Sequence, residues 1–246
     1  GERVSSLDRL GWNHIGLAFA NYGLGNLVEA EVACDGGLEM AERLGDERLA
    51  TFLASWKALV AAEQGRFDEA VSLADATIER GDAHGLTTGQ IESRRVRACI
   101  AQLQGDHEAV LDYAAQADGL LEDTDESMFP IWWSPTTCRS LIVTGRLEGV
   151  EERIESNLEA ACRADMPHWR AMTLEVRARL HAARGETEIA LEDLEAAITI
   201  FKEFGSRIEL ARAYVLRASL TDNRDEDLRS AHDLFEACGA APDIRV

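Results

Sequence analysis

The sequence predicts an all-α chain, a stack of helix pairs, from three observations. Glycine recurs at Gly25, Gly65, Gly105, Gly145 and Gly185, a spacing of 40 held four times in succession. Small residues stand at fixed offsets from each: Ala30, Ala70, Val110, Val150 and Ala190 five positions after, and Ala18, Ala58, Ala98, Cys138 and Ala178 seven before. Helices approach closely only where their side chains are small, so both offsets mark helix crossings. Strand signals are nearly absent, since the chain has four prolines and no alternating β-branched runs.

Taken in order, the first pair covers about residues 7–46, with Gly25 in the turn between its helices and Gly45 in the turn after them. The second covers about 47–86 around Gly65 and Gly85, and the third about 87–126 around Gly105 and Asp125. The fourth covers about 127–166 around Gly145 and Asp165, and the fifth about 167–206 around Gly185 and Gly205. Each unit holds two helices of about 14 to 18 residues, with a tight turn between them and a slightly looser one after. The helical period is plain in Leu191, Leu194, Ala197, Ile198 and Phe201. A sixth pair, about 207–240, is shortened: "RIELARAYVLRASL" ends near Thr221 to Asp225, and its second helix closes at Gly239.

The least regular stretch is "SMFPIWWSPTTC" at 127–138. Ser134 reads as an N-cap and Pro135 as the first helical residue, which puts Phe129, Trp132 and Trp133 on a loop or irregular turn. Such aromatics serve either as a contact site or as a plug for the gap left by a late helix start.

A formal charge of −20 argues against nucleic acid and anionic membranes as partners. The run Arg94, Arg95, Arg97 reads as the polar face of one helical turn. Only Lys57 and Lys202 are lysines, a bias that suits a GC-rich genome or a salt-adapted host. No apolar run has the roughly 18 to 20 residues that a membrane span needs. The five cysteines, 34, 99, 138, 162 and 238, are odd in number and lack a C-x-x-C pair, so they read as buried reduced thiols of a cytoplasmic protein. The polar opening "GERVSSLDRL" and the closing "GAAPDIRV" read as boundaries of a segment cut from a larger chain.

The pattern G-x-[FL]-x-x-A, with a small residue seven before the glycine, resembles the tetratricopeptide repeat signature; "EQGRFDEAVSLADA" and "ARGETEIALEDLEAA" match it well. The resemblance covers essentially the whole chain. Endings such as "EMAERLGDERLA" and "FKEFGSRIELARAY" are similar to the long repeats of bacterial signalling ATPases, LuxR-type regulators and nucleotidyl cyclases. The departures are a mostly missing helix-start Trp and mid-helix Tyr, Gly149 within "GRLEGV", and a period of 40. HEAT and armadillo repeats have a similar period but do not require this glycine–alanine spacing.

Because one helix pair cannot bury its apolar face alone, the units are expected to stack into a right-handed superhelical solenoid, a single domain over 1–246, whose first helices line a concave groove. In the family, positions 2, 5, 9 and 12 of the first helix tend to face inward, and they form one helical stripe. Carried over by the glycine register, the first pair offers Trp12, Ile15, Phe19 and Tyr22, and the second Phe52, Ser55, Leu59 and Ala62. The third offers Glu92, Arg95, Cys99 and Gln102, the fourth Trp132, Pro135, Arg139 and Ile142, and the fifth Met172, Glu175, Arg179 and Ala182. Apolar positions followed by arginine forks suit a protein or peptide with apolar anchors and an acidic end. The alternative is that Arg139 and Arg179 pair with Glu on a neighbouring helix, and that the aromatics pack against a preceding repeat.

Catalytic signatures are missing. Neither lysine follows a glycine, so no phosphate-binding loop exists, and H-E-x-x-H, G-x-S-x-G and metal-type Cys/His spacings are absent. The six histidines, 14, 84, 107, 168, 181 and 232, are dispersed. The expectation is a binding or regulatory scaffold without cofactor or metal. Its rivals are a module that senses a ligand or peptide and controls an attached effector, and an oligomerisation module.

Overall fold

The computed structural model describes residues 2–122, 124 and 128–241, with side chains from Leu10 onward. The described residues form twelve helices joined by short turns, with no strand among them. They group into two compact units, Gly1–Asp125 and Glu126–Val246. The first contains α1 (Glu2–Leu24), α2 (Leu27–Leu44), α3 (Glu47–Glu63), α4 (Phe67–His84), α5 (Thr87–Gln104) and α6 (His107–Leu121). The second contains α7 (Phe129–Val143), α8 (Val150–Arg163), α9 (Pro167–Ala183), α10 (Thr187–Phe204), α11 (Arg207–Leu220) and α12 (Arg224–Cys238).

Within each unit every helix packs on its sequence neighbours, and the first helices of successive pairs also touch: α1 on α3 and α3 on α5, α7 on α9 and α9 on α11. These sequential contacts fit a repeat. The small residues at both fixed offsets from the turn glycine are buried to 3% exposure or less, including Ala18, Ala30, Ala58, Ala70, Cys138 and Ala178. They are the crossing points, and a larger side chain at any of them would force two helices apart.

One turn recurs. The N–H of the residue after the turn glycine donates to a carbonyl five positions back, as in Arg66 to Ala61 and Asp46 to Ala41, at 2.9 and 3.0 Å. The glycine between adopts the left-handed conformation, φ 63° at Gly45. Turns within and between pairs share this bond, so the looser second turn expected from the sequence is not observed at Gly45, Gly85 or Gly205. Asp165 takes the same conformation without glycine's freedom, at φ 51°. The expected turn at Asp125 and the closing residues 242–246 lie outside the described residues.

Stacked pairs are also tied by a periodic ion pair. Lys57 reaches Asp35 at 2.6 Å, Arg97 reaches Asp75 at 3.1 Å, Arg177 reaches Glu155 at 2.9 Å, and Arg217 reaches Glu195. Each joins a first helix to the second helix of the preceding pair, 22 positions back. The remaining register pair, Ala115 and Thr137, carries no charge.

Two further expectations need correction. Helix α7 begins at Phe129, not Pro135, so Phe129, Trp132 and Trp133 are helical rather than in a loop. Pro130 occupies the first turn, where its missing N–H costs nothing. Pro135 lies inside the helix, a position that costs about 3 kcal/mol; burial of Phe129, Ile131, Trp133 and Cys138 around α7 offsets it. The Ser134–Pro135 reading used only the local cap signal. Second, the thiols are not uniformly buried: Cys34, Cys138 and Cys238 are, Cys99 is half-buried, and Cys162 is exposed because it sits on the solvent side of α8. Burial pushes the Cys34 thiol up to about 12. No disulfide forms among the described residues. No helix among them is long and apolar enough to cross a membrane.

Candidate functional site

In the first unit the stripe is built on α1, α3 and α5. Asp46 caps α3 by accepting from the Leu49 N–H at 2.9 Å, and one turn into that helix Phe52 lies opposite Trp12. Those rings lie 6.3 Å apart. Further along the two helices, Phe19 and Tyr22 make edge-to-face contacts with Trp56 at 5.5 and 5.4 Å. Phe19 remains 40% exposed, whereas Trp12, Ile15, Tyr22 and Phe52 are half-buried. Arg48 lies over the Trp12 ring at 4.3 Å and Arg95 over Trp56 at 5.2 Å, so the aromatic faces also hold cations. Trp56, at the centre, is one residue off the expected stripe; its size beside Ser55 was the available signal.

Arg95 is not an open fork. Its Nε and Nη2 donate to both carboxylate oxygens of Glu92 at 2.8 Å, and both side chains are buried. Burial opposes the Arg95 charge, but Glu92 holds the guanidinium protonated. The Tyr22 hydroxyl donates to Glu63 at 2.8 Å, bridging α1 and α3.

The second unit presents an ionic cluster on α7, α9 and α11. Arg139 Nε donates to Glu175 at 2.9 Å and its Nη2 to Glu209 at 3.3 Å. Arg179 Nε donates to the other oxygen of Glu175 at 2.5 Å, and Arg212 donates to Glu209 at 2.6 Å. Burial raises the cost of each carboxylate charge, yet the guanidiniums prevail: Glu175 is held below its usual range by Arg139 and Arg179, and Glu209 is lowered to about 2 by Arg212 and Arg139. Beside the cluster, His168 shares a hydrogen bond with the Ser206 hydroxyl at 2.9 Å, and burial lowers its basicity. Arg139 and Arg179 thus pair internally, the alternative that the sequence reading kept open. Glu209 and Arg212 were missed because the stripe was not carried into the shortened sixth pair.

Trp132 stacks on Trp169 at 6.3 Å and meets Phe129 edge-on at 5.2 Å. Phe129 and Trp133 are buried, Trp132 half-buried, so this segment packs more than it projects. Among the described residues, the buried side-chain polar atoms without a hydrogen-bond partner are Ser55 Oγ and Trp132 Nε1, both on the stripe. One set of potential metal ligands occurs among them, His232, Asp233 and Glu236 on α12, with ligand atoms within 4.8 Å of one another and all three side chains exposed. No protein-family model matches the chain, and no curated protein does.

Proposed function

We propose that the chain is a protein-interaction module of the tetratricopeptide type, which binds a peptide or protein segment along its first helices rather than catalysing a reaction. The observation that carries this reading is the partly open aromatic stripe of the first unit, where Trp12, Ile15 and Phe19 on α1 and Phe52 on α3, the register equivalent of Trp12, keep accessible surface. Adjacent half-buried aromatics on rigid helices are the anchor sites that partner side chains fill.

The arginines narrow the partner. Arg95, Arg139 and Arg179 already neutralise glutamates, so the recognition proposed here rests on apolar anchors and not on an acidic end. Stacking of helix pairs as in a right-handed solenoid, a cytoplasmic location and a signalling role belong to the same proposal.

The test is to pan a random peptide library on the purified chain and measure enriched peptides by fluorescence anisotropy against a Phe19→Ala/Phe52→Ala variant. Affinity is expected to fall at least about tenfold, as loss of an aromatic anchor does. Unchanged affinity, or no enriched peptide at all, overturns the stripe as the site. Arg139→Glu is the wrong probe, because it would break the buried network of the second unit.

A further inference from the structure

We propose that the outward edge of α1 pairs two copies of this chain, antiparallel and related by a two-fold axis at Leu17. Leu10, Leu17 and Leu24 recur at a spacing of seven and are 49%, 52% and 40% exposed. Seven residues are two turns, so the three share one edge of the helix, with Asn13 and Ala20 between them. This edge is distinct from the one that meets α3 through Trp12, Phe19 and Tyr22.

The register shows what kind of element belongs there. Residue 17 is equivalent to Lys57, Arg97, Arg177 and Arg217, and each of those lies against the second helix of the preceding pair. The edge is therefore shaped to receive a helix. Where the others offer a cation to an acidic neighbour, α1 offers leucine, so an apolar helix surface is its complement.

Two features favour a second copy as that helix. The leucines are symmetric about Leu17, so antiparallel pairing sets Leu17 against its own copy and Leu10 against Leu24, a self-complementary interface. The segment from Leu10 to Val28 also contains no Asp, Glu, Lys or Arg, in a chain of formal charge −20. Two copies repel one another over most of their surface, and this edge lets them meet without opposing carboxylates.

Sedimentation equilibrium of the purified chain across micromolar to submillimolar concentration tests the proposal. The mass is expected to rise from 27.0 kDa toward twice that value. Leu17→Arg, which installs the cation found at the equivalent position of four other pairs and opposes two cations at the axis, is expected to weaken association at least about tenfold while leaving the helical circular dichroism intact. In a Cys162→Ser background, Leu17→Cys is expected to cross-link to itself on mild oxidation, and Phe204→Cys, exposed on α10, is not. A monomer at every concentration overturns the pairing and leaves the edge to a helix of different origin. A dimer insensitive to Leu17→Arg, without the Leu17→Cys cross-link, overturns it in favour of another face. Peptide binding by the α1–α3 stripe is read separately, so either proposal can fail alone.

Discussion

The two units carry different chemistry at the same register positions. In the first, α1 and α3 carry aromatics there, with Trp12 against Phe52 and with Phe19 and Tyr22 against the adjoining Trp56, and only α5 adds a buried ion pair, Glu92–Arg95. In the second, the stripe is ionic, with Glu175 and Glu209 held among Arg139, Arg179 and Arg212. The helical period decides where a side chain points; its neighbours decide whether it packs, pairs or stays open. An aromatic edge tolerates partial exposure, and so can serve a partner. Buried carboxylates require all their cations, and so are committed to the fold.

The largest expected effect that separates the units is Arg139→Met. It leaves Glu175 and Glu209 buried with one cation fewer between them, and the second unit should lose about 3–5 kcal/mol. Denaturant unfolding with amide exchange resolved by helix would show the loss in α7, α9 and α11, with α1 and α3 unchanged. A loss spread evenly over both units would break the distinction.

Acid should separate them next. The Glu209 carboxyl lies at about 2 against an ordinary value of 4.5, so its pairing contributes fully above pH 4.5 and is lost as pH falls toward 2, by about 3 kcal/mol at most. His168, whose folded value is depressed by burial, adds a loss that begins as pH falls below its unfolded value of 6.5. Amide protection in α9 and α11, taken after dividing out the intrinsic slowing of exchange in acid, should therefore fall from mildly acidic pH downward; protection that stays constant to pH 3 would refute the shared carboxylates.

The smallest effect should be common to both units. Asp35→Asn in the first and Glu155→Gln in the second each remove one member of the periodic ion pair, whose acids are about half exposed. Each should cost about 0.2–1 kcal/mol and less at high salt, measured as a shift in denaturation midpoint. A much larger loss at either would mean that these pairs, and not apolar crossings, hold the stack.

Much of the fold was legible because its signals are local and periodic. Gly45 and Ala58 announce a turn and a crossing from their spacing alone, since few residues adopt φ near 63° and few fit between touching helices. The periodic ion pair was equally present in the letters, with Lys57, Arg97, Arg177 and Arg217 on the same 40-residue period, but recognising it needs to know which helix stacks on which. The start of α7 was misread because burial of Phe129 and Trp133 outweighs the local cost of Pro135.

By itself, then, the sequence determined helices, turns, crossing points and the side of each helix on which a residue stands, because these follow from backbone dihedrals and side-chain volume within a few turns. Only the tertiary structure decided the fate of the charged stripe. Whether Arg139 is a fork for a partner or a clamp within the fold depends on Glu209, 70 positions away, and on burial that makes the pair of charges inseparable.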